Sequence, residues 1–258
     1  IPLIRRISGG GTVYHDAGNL NFSFILNSAE GKQIDFRKYT LPVIAFLDSL
    51  GVKAQLEGRN DLKVNGLKIS GNAEHVFRNR VLHHGTLLFR ADLSVLGAIL
   101  RKDTSAYTTR AVSSNPSPVG NLGSMIQQAG IYGINDFRSE MIQWFFNNLP
   151  EMQEFDLNET ETKTIGSLAL AKYRTWEWNY AYGPEYQFVN KFTALGKESF
   201  CLLNVKDGII TECKAGGSDR FIKIAGNLAG CRHMPEDLLS FFREENLDMT
   251  EIDVFDFF

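Results

Sequence analysis

The chain has 258 residues, of which 43% are hydrophobic, which is enough to bury the core of one large domain or of two smaller ones. A formal net charge of −3 argues against a protein that binds nucleic acid through a broad basic surface. No signal peptide is visible and no apolar run approaches the roughly 20 residues of a membrane-spanning helix, so we expect no membrane partner.

The first feature along the chain is a glycine-rich loop, Arg5-Arg6-Ile7-Ser8-Gly9-Gly10-Gly11-Thr12-Val13-Tyr14-His15-Asp16. Three successive glycines leave one side of the loop without Cβ atoms, so its backbone N–H groups can wrap closely around a ligand. Arg5, Arg6 and Ser8 add donors for phosphate or carboxylate oxygens. The run is neither a Walker loop nor a dinucleotide-binding G-x-G-x-x-G motif. A glycine-rich hairpin with solvated arginines is the alternative interpretation.

A strand, a helix and a second strand are predicted next. Residues 19–26 alternate and are rich in Phe, which favours a strand. Residues 41–50 favour a helix with Pro42 in its first turn and Gly51 as its stop. The chain is expected to return as a strand over residues 52–56.

The dipeptide Asn65-Gly66 predicts a two-residue hairpin between residues 61–64 and 67–70. The expected pairs are Val64 with Leu67, Lys63 with Lys68, Leu62 with Ile69 and Asp61 with Ser70. One face of the hairpin is then apolar, and the other carries both lysines, Asp61 and Ser70. Opposed lysines on a solvent-exposed surface repel each other by roughly a few tenths of a kcal/mol. The pair would be favourable if this face bound a polyanion. Asp61, on the same face, could then hold the metal ion of that polyanion.

The rest of the chain is predicted to contain short elements joined by loops. A long loop over residues 104–121, rich in Ser, Thr, Asn and Pro, is expected to be mobile or functional. The dipeptide Gly183-Pro184 marks a linker over residues 180–186. The other predicted elements are a strand over 86–89, helices over 93–100, 134–149 and 235–246, and a hairpin of 199–205 with 209–214 around a turn at 206–208.

Six segments, taken in order, resemble the motifs of lipoate–protein ligases. The first runs from Arg5 to Phe22; the others are Gly58-Arg59-Asn60-Asp61-Leu62, Lys68-Ile69-Ser70-Gly71 with Ala73, His83-His84-Gly85-Thr86-Leu87-Leu88, Ser117-Pro118-Val119-Gly120-Asn121-Leu122 and Thr175-Trp176-Glu177-Trp178-Asn179. The resemblance covers almost the whole chain. It implies an α/β (α+β) fold of the biotin/lipoate ligase type, in which flanking helices cover a mixed sheet and a small α+β accessory domain follows. Residues 1–179 would form the catalytic domain, 180–185 the linker and 186–258 the accessory domain.

Related ligases carry an upstream strand–helix–strand segment that also lines their lipoate pocket. This chain opens instead at Ile1-Pro2-Leu3, without Met. We therefore expect that segment to be truncated, disordered or supplied by another chain.

The resemblance implies an ATP-dependent, AMP-forming ligase. Lipoate would be activated to lipoyl-AMP with Mg²⁺ bound to the polyphosphate, and the lipoyl group would pass to a lysine of a small carrier domain. The implied acceptors are the lipoyl domains of 2-oxoacid dehydrogenase acyltransferase subunits and the glycine-cleavage carrier protein.

Lys68 is the catalytic residue implied by the resemblance, in contact with both the lipoate carboxylate and the α-phosphate. Without the resemblance, the simplest interpretation of a lysine beside a glycine turn is a solvated side chain. Asp61 is the implied Mg²⁺ ligand, oriented by Asn60, although it could equally cap the hairpin. The implied cofactor-binding residues are Arg6, Ser8, Gly9, Gly10, Gly11, Thr12, Val13, Tyr14, His15, Asn60, Lys68, Ala73 and His84.

His15 and His84 belong to no His/Cys/Asp set with zinc-ligand spacing. The resemblance places both near the acyl-adenylate as residues that line the pocket rather than as bases. Arg5 is expected to be a structural neighbour of the site. Trp176 and Trp178 are expected to pack at the domain junction.

Two other functions stay open at this point. Octanoyl transfer in related folds uses a cysteine nucleophile and no ATP, but residues 1–200 contain no cysteine. The cysteines, Cys201, Cys213 and Cys231, predict reduced thiols in a cytoplasmic protein. The third possibility is non-catalytic: the chain is a fragment that binds lipoyl adenylate, or it serves as half of a two-chain ligase.

Overall fold

The computed structural model of the chain describes residues 2–27, 34–100, 105–111, 117–126, 130–247 and 250–258. They form two compact units with separate hydrophobic cores. The N-terminal unit consists of Arg6–Arg101 and Val112–Asp156, and the C-terminal unit of Ile1–Arg5, Lys102–Ala111 and Leu157–Phe258. Within the described residues, no helix is both long and apolar enough to cross a membrane.

The N-terminal unit is built on an antiparallel sheet whose described strands follow the order β1-β5-β4-β3-β2. These strands are β1 (Asn19–Asn27), β2 (Gln55–Glu57), β3 (Asp61–Val64), β4 (Leu67–Phe77) and β5 (Arg80–Leu88). The helices are α1 (Phe36–Ser49), α2 (Leu93–Ile99) and α3 (Ile134–Asn148), with a 3₁₀ turn at Leu122–Ser124. Aromatic and aliphatic side chains of α1 and α3, including Phe46 and Phe137, pack with Leu62, Ile69 and Leu87 of the sheet to form its core.

Helix α2 and helix α3 confirm the predictions, but α1 begins five residues earlier than predicted. The reason is Asp35, whose carboxylate accepts the Lys38 N–H at 3.0 Å and caps the helix. Pro42 consequently lies inside α1 and not in its first turn, whereas Gly51, at φ +79°, follows the helix end as predicted.

The hairpin around Asn65-Gly66 forms, and Val64 pairs with Leu67 and Lys63 with Lys68. The two remaining predicted pairs are wrong, because a bulge shifts the register so that Leu62 faces Ser70 and Asp61 faces Gly71. The bulge allows both Ile69 and Ser70 to be buried, so Ser70 does not share the wet face with the lysines.

Three predicted strand bounds need correction. The strand expected at 52–56 is shorter and later, at Gln55–Glu57. Strands β4 and β5 are much longer than the predicted 67–70 and 86–89, and the chain reverses between them at Arg78, with φ +56°. A turn that uses no glycine leaves little signal in the sequence.

The C-terminal unit contains an antiparallel sheet in the order β6-β7-β8-β9, with a core that includes Phe188, Leu203, Phe221 and Phe242. Its strands are β6 (Tyr107–Thr109), β7 (Tyr186–Ala194), β8 (Lys197–Lys206) and β9 (Ile209–Gly216). Its helices are α4 (Glu159–Leu168), α5 (Asp219–Gly226) and α6 (Pro235–Glu244), with π-helical turns at Ala169–Tyr173 and Glu177–Ala181 and a 3₁₀ turn at Val254–Phe257.

The predicted hairpin of β8 and β9 is confirmed, with Asp207 and Gly208 at positive φ in its turn. Helix α4 and α5 were not predicted, and α6 ends two residues before the predicted 246. The predicted loop 104–121 contains strand β6 in its described part; residues 104 and 112–116 lie outside the described residues. The predicted linker at 180–186 overlaps the helical turn Glu177–Ala181 and the start of β7.

Candidate functional site

One face of the N-terminal sheet is polar and the other belongs to the core. Across β1, β5 and β4, Ser23 pairs with His84 and His84 with Ala73, so these residues share a face. The neighbouring residues in each strand point the other way. His83, one of them, is buried and stacks on Tyr39 of α1. The polar face is therefore the one on which a ligand can be bound.

The glycine-rich loop is folded around the side chain of Arg6. Its Nη2 donates to the carbonyl oxygens of Gly9 and Gly11 at 2.9 and 2.8 Å, and its Nε donates to Gly9 at 3.1 Å. Gly10 adopts φ +109°, and a Cβ there would lie 2.6 Å from Arg6 Nη2. The loop thus needs glycine at this position, and partial burial lowers the pKa of Arg6.

Ser8 connects the loop to the sheet. Its hydroxyl is buried and lies 2.5 Å from Nε2 of His84 on β5. Burial, with the charge of Arg6, lowers the pKa of His84, so a neutral imidazole can accept this hydrogen bond at pH 7. The contact holds the start of the glycine run against the polar face.

Asp16 fixes the other end of the loop. Its Oδ1 accepts the Gly18 N–H at 2.8 Å and its Oδ2 accepts the Asp92 N–H at 2.7 Å. A Cβ at Gly18 would lie 2.1 Å from the Arg90 carbonyl oxygen, so this close approach also requires glycine. The motif residues Asp16 and Gly18 therefore anchor the loop, a role that was not predicted.

Lys68 lies near the start of β4 with its side chain over Gly71. A Cβ at Gly71 would lie 3.2 Å from Lys68 Cε, and the Lys68 ammonium is 2.7 Å from Oδ1 of Asp61. The Lys68 backbone pairs in parallel with the segment around Val119: its N–H donates to the Pro118 carbonyl at 2.8 Å. Among the described strands and bridges of the N-terminal unit, this bridge is the parallel one; the others are antiparallel.

The predicted repulsion between the opposed lysines is offset by carboxylates. Lys63 pairs with Glu57 at 3.1 Å, as Lys68 pairs with Asp61. Each ammonium therefore has its own counter-ion, and the polar face keeps two ordered cations side by side.

Asn60 is held in place by Asn72, a residue that was not predicted for the site. Asn60 Nδ2 donates to the Asn72 carbonyl at 2.6 Å, and Asn72 Nδ2 donates to the Asn60 carbonyl at 3.0 Å. Asn72 is itself buried, which fixes the chain immediately before Asp61. The sequence did contain a signal for Asn72: it is a polar side chain at a strand position where the alternating pattern would place a buried one.

The predicted site residues therefore fall into two groups. Arg6, Ser8, the glycines and His84 form one group; Asn60, Asp61 and Lys68 form the other, and Ala73 pairs with His84 on the strand between them. Thr12, Val13 and His15 are exposed, and Tyr14 is half-buried. Among the described residues, no cluster of three or more His, Cys, Asp or Glu side chains could hold a metal ion.

The remaining predicted residues lie within the C-terminal unit. Arg5 contacts Asn179, and Trp178 donates to the Arg5 carbonyl. Trp176 stacks on the guanidinium of Arg232, with 4.3 Å from Cζ to the ring centroid. The three cysteines are free, and burial raises the pKa of Cys201 to about 12.

Comparison with known proteins agrees with this architecture. Residues 1–146 match the model of the lipoyl protein ligase A/B catalytic domain. The chain is 37% identical over 220 residues to lipoate-protein ligase LplJ of Bacillus subtilis, with 84% of this chain covered. It spans 66% of the length of that relative, slightly less than two thirds.

Two solved structures share the fold. One is a bi-partite lipoate protein ligase of Thermoplasma acidophilum, described together with its E2 lipoyl domain: identity is 28%, the TM-score 0.54, and 69% of each chain is covered. The other is a lipoate-protein ligase A bound with ATP, with the same identity and TM-score over 69% of this chain and 72% of that one. The predicted biotin/lipoate ligase type of fold is confirmed. The chain belongs to the lipoyl protein ligase A/B catalytic domain family.

Proposed function

We propose that the chain is the adenylate-forming part of an ATP-dependent lipoate–protein ligase. In the first step the lipoate carboxylate attacks the α-phosphorus of ATP, giving lipoyl-AMP and releasing pyrophosphate. In the second step a lysine ε-amine of a carrier domain attacks the acyl carbon, giving an amide and AMP. The observation that carries the proposal is the Lys68 ammonium, fixed over Gly71 by its contact with Asp61.

Lys68 is suited to the first step because two anions must approach each other. An ordered ammonium between the lipoate carboxylate and the α-phosphate offsets their repulsion. Since Asp61 Oδ1 already lies 2.7 Å from Nζ, the side chain is positioned before the substrates bind. The parallel pairing of its backbone with the segment around Val119 adds to this order.

The glycine-rich loop is the proposed site for the nucleotide. Arg6 engages the carbonyl oxygens of Gly9 and Gly11, so the peptide units of the loop are held in one orientation. Thr12 and Val13 are exposed, and their N–H groups are the proposed donors to the phosphates. A similar structure is a lipoate-protein ligase A bound with ATP, which supports ATP as the nucleotide.

Asp61 is the residue that would hold Mg²⁺. One carboxylate suits this ion in a nucleotide site, since Mg²⁺ takes most of its other ligands from phosphates and water. The ion pair with Lys68 uses Oδ1, and Asp61 has a second oxygen for a metal ion. When bound, Mg²⁺ neutralises charge on the polyphosphate.

A cysteine-dependent octanoyl transfer is disfavoured by the thiols themselves. Burial raises the pKa of Cys201 to about 12 and that of Cys213 to about 11, so neither is an activated thiolate at pH 7. The residues of the polar face do not include a cysteine.

The proposed acceptors are lipoyl domains of 2-oxoacid dehydrogenase acyltransferase subunits and the glycine-cleavage carrier protein. The Thermoplasma relative, described with its E2 lipoyl domain, supports the first class. We further propose that residues 186–258 act as an accessory domain in adenylation and that residues 1–179 carry the chemistry.

A second candidate is that the chain is one half of a two-chain ligase. The observation in its favour is that one similar structure is described as a bi-partite lipoate protein ligase. Calorimetric titration with lipoate and with ATP, followed by an acceptor assay, separates the two candidates. Binding with transfer supports the complete ligase, binding without transfer supports the half ligase, and no binding of either substrate refutes both.

A further inference from the structure

The segment Thr175-Trp176-Glu177-Trp178-Asn179 has no part in the chemistry proposed above, yet it binds both backbone groups of Arg5. The Arg5 N–H donates to Oδ1 of Asn179 at 2.9 Å. The indole N–H of Trp178 donates to the Arg5 carbonyl at 2.9 Å. The Arg5 side chain adds a hydrogen bond from Nε to the Asn179 carbonyl at 3.3 Å.

Both partners are themselves fixed. Asn179 is buried, and its Nδ2 donates to the carbonyl oxygens of Tyr173 and Thr175, each at 2.9 Å. The Trp178 ring lies parallel to that of Tyr182, with centroids 5.2 Å apart and 9° between their planes. The Asn179 amide and the Trp178 indole are therefore pre-organised, and their side chains lose little further entropy when they bind Arg5.

This contact matters for the glycine-rich loop because Arg5 directly precedes Arg6. The next residue is Arg6, whose guanidinium holds the glycine-rich loop through the carbonyls of Gly9 and Gly11. A bound N–H and C=O on residue 5 restrict the backbone from which the Arg6 side chain starts. We infer that Trp178 and Asn179 are positioning residues that fix the start of the glycine-rich loop. The effect on ATP rests on the proposed function; the effect on loop order does not.

The chain offers a matched control in Trp176. Its indole Nε1 has no hydrogen-bond partner among the described residues, and its ring packs against the guanidinium of Arg232. W178F removes the donor to Arg5 and keeps a ring for Tyr182 to stack on. W176F removes an indole N–H that has no hydrogen-bond partner among the described residues. The two substitutions therefore differ in whether the hydrogen bond to the Arg5 carbonyl is lost.

Amide hydrogen exchange of the full chain tests the inference directly. In W178F we expect the peptide covering residues 6–15 to exchange about three- to tenfold faster than in the wild type, the factor that corresponds to loss of one hydrogen bond. In W176F we expect its exchange to be unchanged. Equal exchange of this peptide in W178F and W176F overturns the inference.

Two further measurements keep the test decisive. In the wild type the Arg5 amide should be protected, because it donates to Asn179; exchange at the rate of an unstructured peptide overturns the inference even if W178F does not fold. In lipoate-dependent adenylation, W178F should raise the KM for ATP about three- to tenfold with a smaller change in kcat, whereas W176F should not. If loop exchange responds as expected but the wild type does not turn over, the proposed function fails and the positioning role stands.

Discussion

Replacement of Lys68 by methionine tests the residue on which the proposed chemistry depends. Methionine keeps an unbranched stem over Gly71 and removes the charge. An ammonium that acts only in the transition state should cost at least about 100-fold in rate when removed, equivalent to about 2.7 kcal/mol. We therefore expect K68M to lose lipoate-dependent ATP–pyrophosphate exchange by this factor or more.

The expected loss of stability is too small to explain such a loss of activity. Removing one partner costs up to about 1 kcal/mol for an exposed ion pair and about 3–5 kcal/mol for a buried one. The Lys68 and Asp61 side chains are 26% and 18% exposed, so about 2 kcal/mol is expected. A domain stable by about 5–15 kcal/mol stays almost fully folded after that change.

Lys63 provides the matched control. It lies directly opposite Lys68 in the hairpin, its side chain is 23% exposed, and it has its own carboxylate partner in Glu57. K63M should lose a similar or smaller amount of stability and retain exchange activity within about threefold. Equal loss of activity in folded K63M and K68M would refute the catalytic assignment, and so would near-normal exchange in K68M.

Three further predictions follow from other contacts. Gly85→Ala should lower the free energy of unfolding by about 2–4 kcal/mol, because its Cβ would lie 2.2 Å from Oδ1 of Asn72; a denaturant midpoint equal to that of the wild type would contradict this. Native alkylation at pH 7 should be slow at Cys201 and Cys213, whose pKa values are raised by burial to about 12 and about 11, and should leave adenylation unchanged; rapid labelling with loss of activity would point to thiol chemistry. Burial lowers the pKa of His84, so below its ordinary value of 6.5 the unfolded chain binds more protons than the folded one and stability falls as the pH falls. The midpoint temperature should therefore decrease between pH 7.5 and 5.5, by less in a His84→Gln variant, and an equal decrease in both would contradict the assignment.

Local signals predicted the hairpin turn but not its register. Asn65-Gly66 specifies a two-residue turn by itself, and the turn forms. The bulge that moves Ser70 opposite Leu62 depends on burial of Ile69 and Ser70, which is decided by the whole N-terminal unit. Sequence alternation alone therefore placed Ser70 on the wrong face.

The candidate site shows the same division. Glycine in a loop and lysine beside a glycine are local features, so Gly10 and Lys68 could be singled out from the sequence. The contacts that hold them are not visible in the sequence: the Arg6 side chain folds back onto its own loop, and the Lys68 backbone is bound by Pro118, which is 50 residues away in sequence. No local periodicity encodes such contacts.

The division into units depends most on distant contacts. Residues 1–5 and 102–111 join the C-terminal unit, and strand β6 pairs with β7 across about 80 positions of sequence, for example Thr108 with Gln187. The predicted linker at 180–186 was based on a Gly-Pro dipeptide, a feature of local composition. The assignment of catalytic and accessory roles to the two parts stays a prediction.

Formation of lipoyl-AMP by the purified chain is the most direct test of the central claim. The chain is incubated with lipoate, Mg²⁺ and ATP labelled at the α-phosphate, without any carrier protein, and the protein-bound nucleotide is identified by mass spectrometry. We expect one lipoyl-AMP per active chain in the wild type and none above background in K68M. Binding of both substrates without formation of lipoyl-AMP would contradict the claim that this chain forms the adenylate.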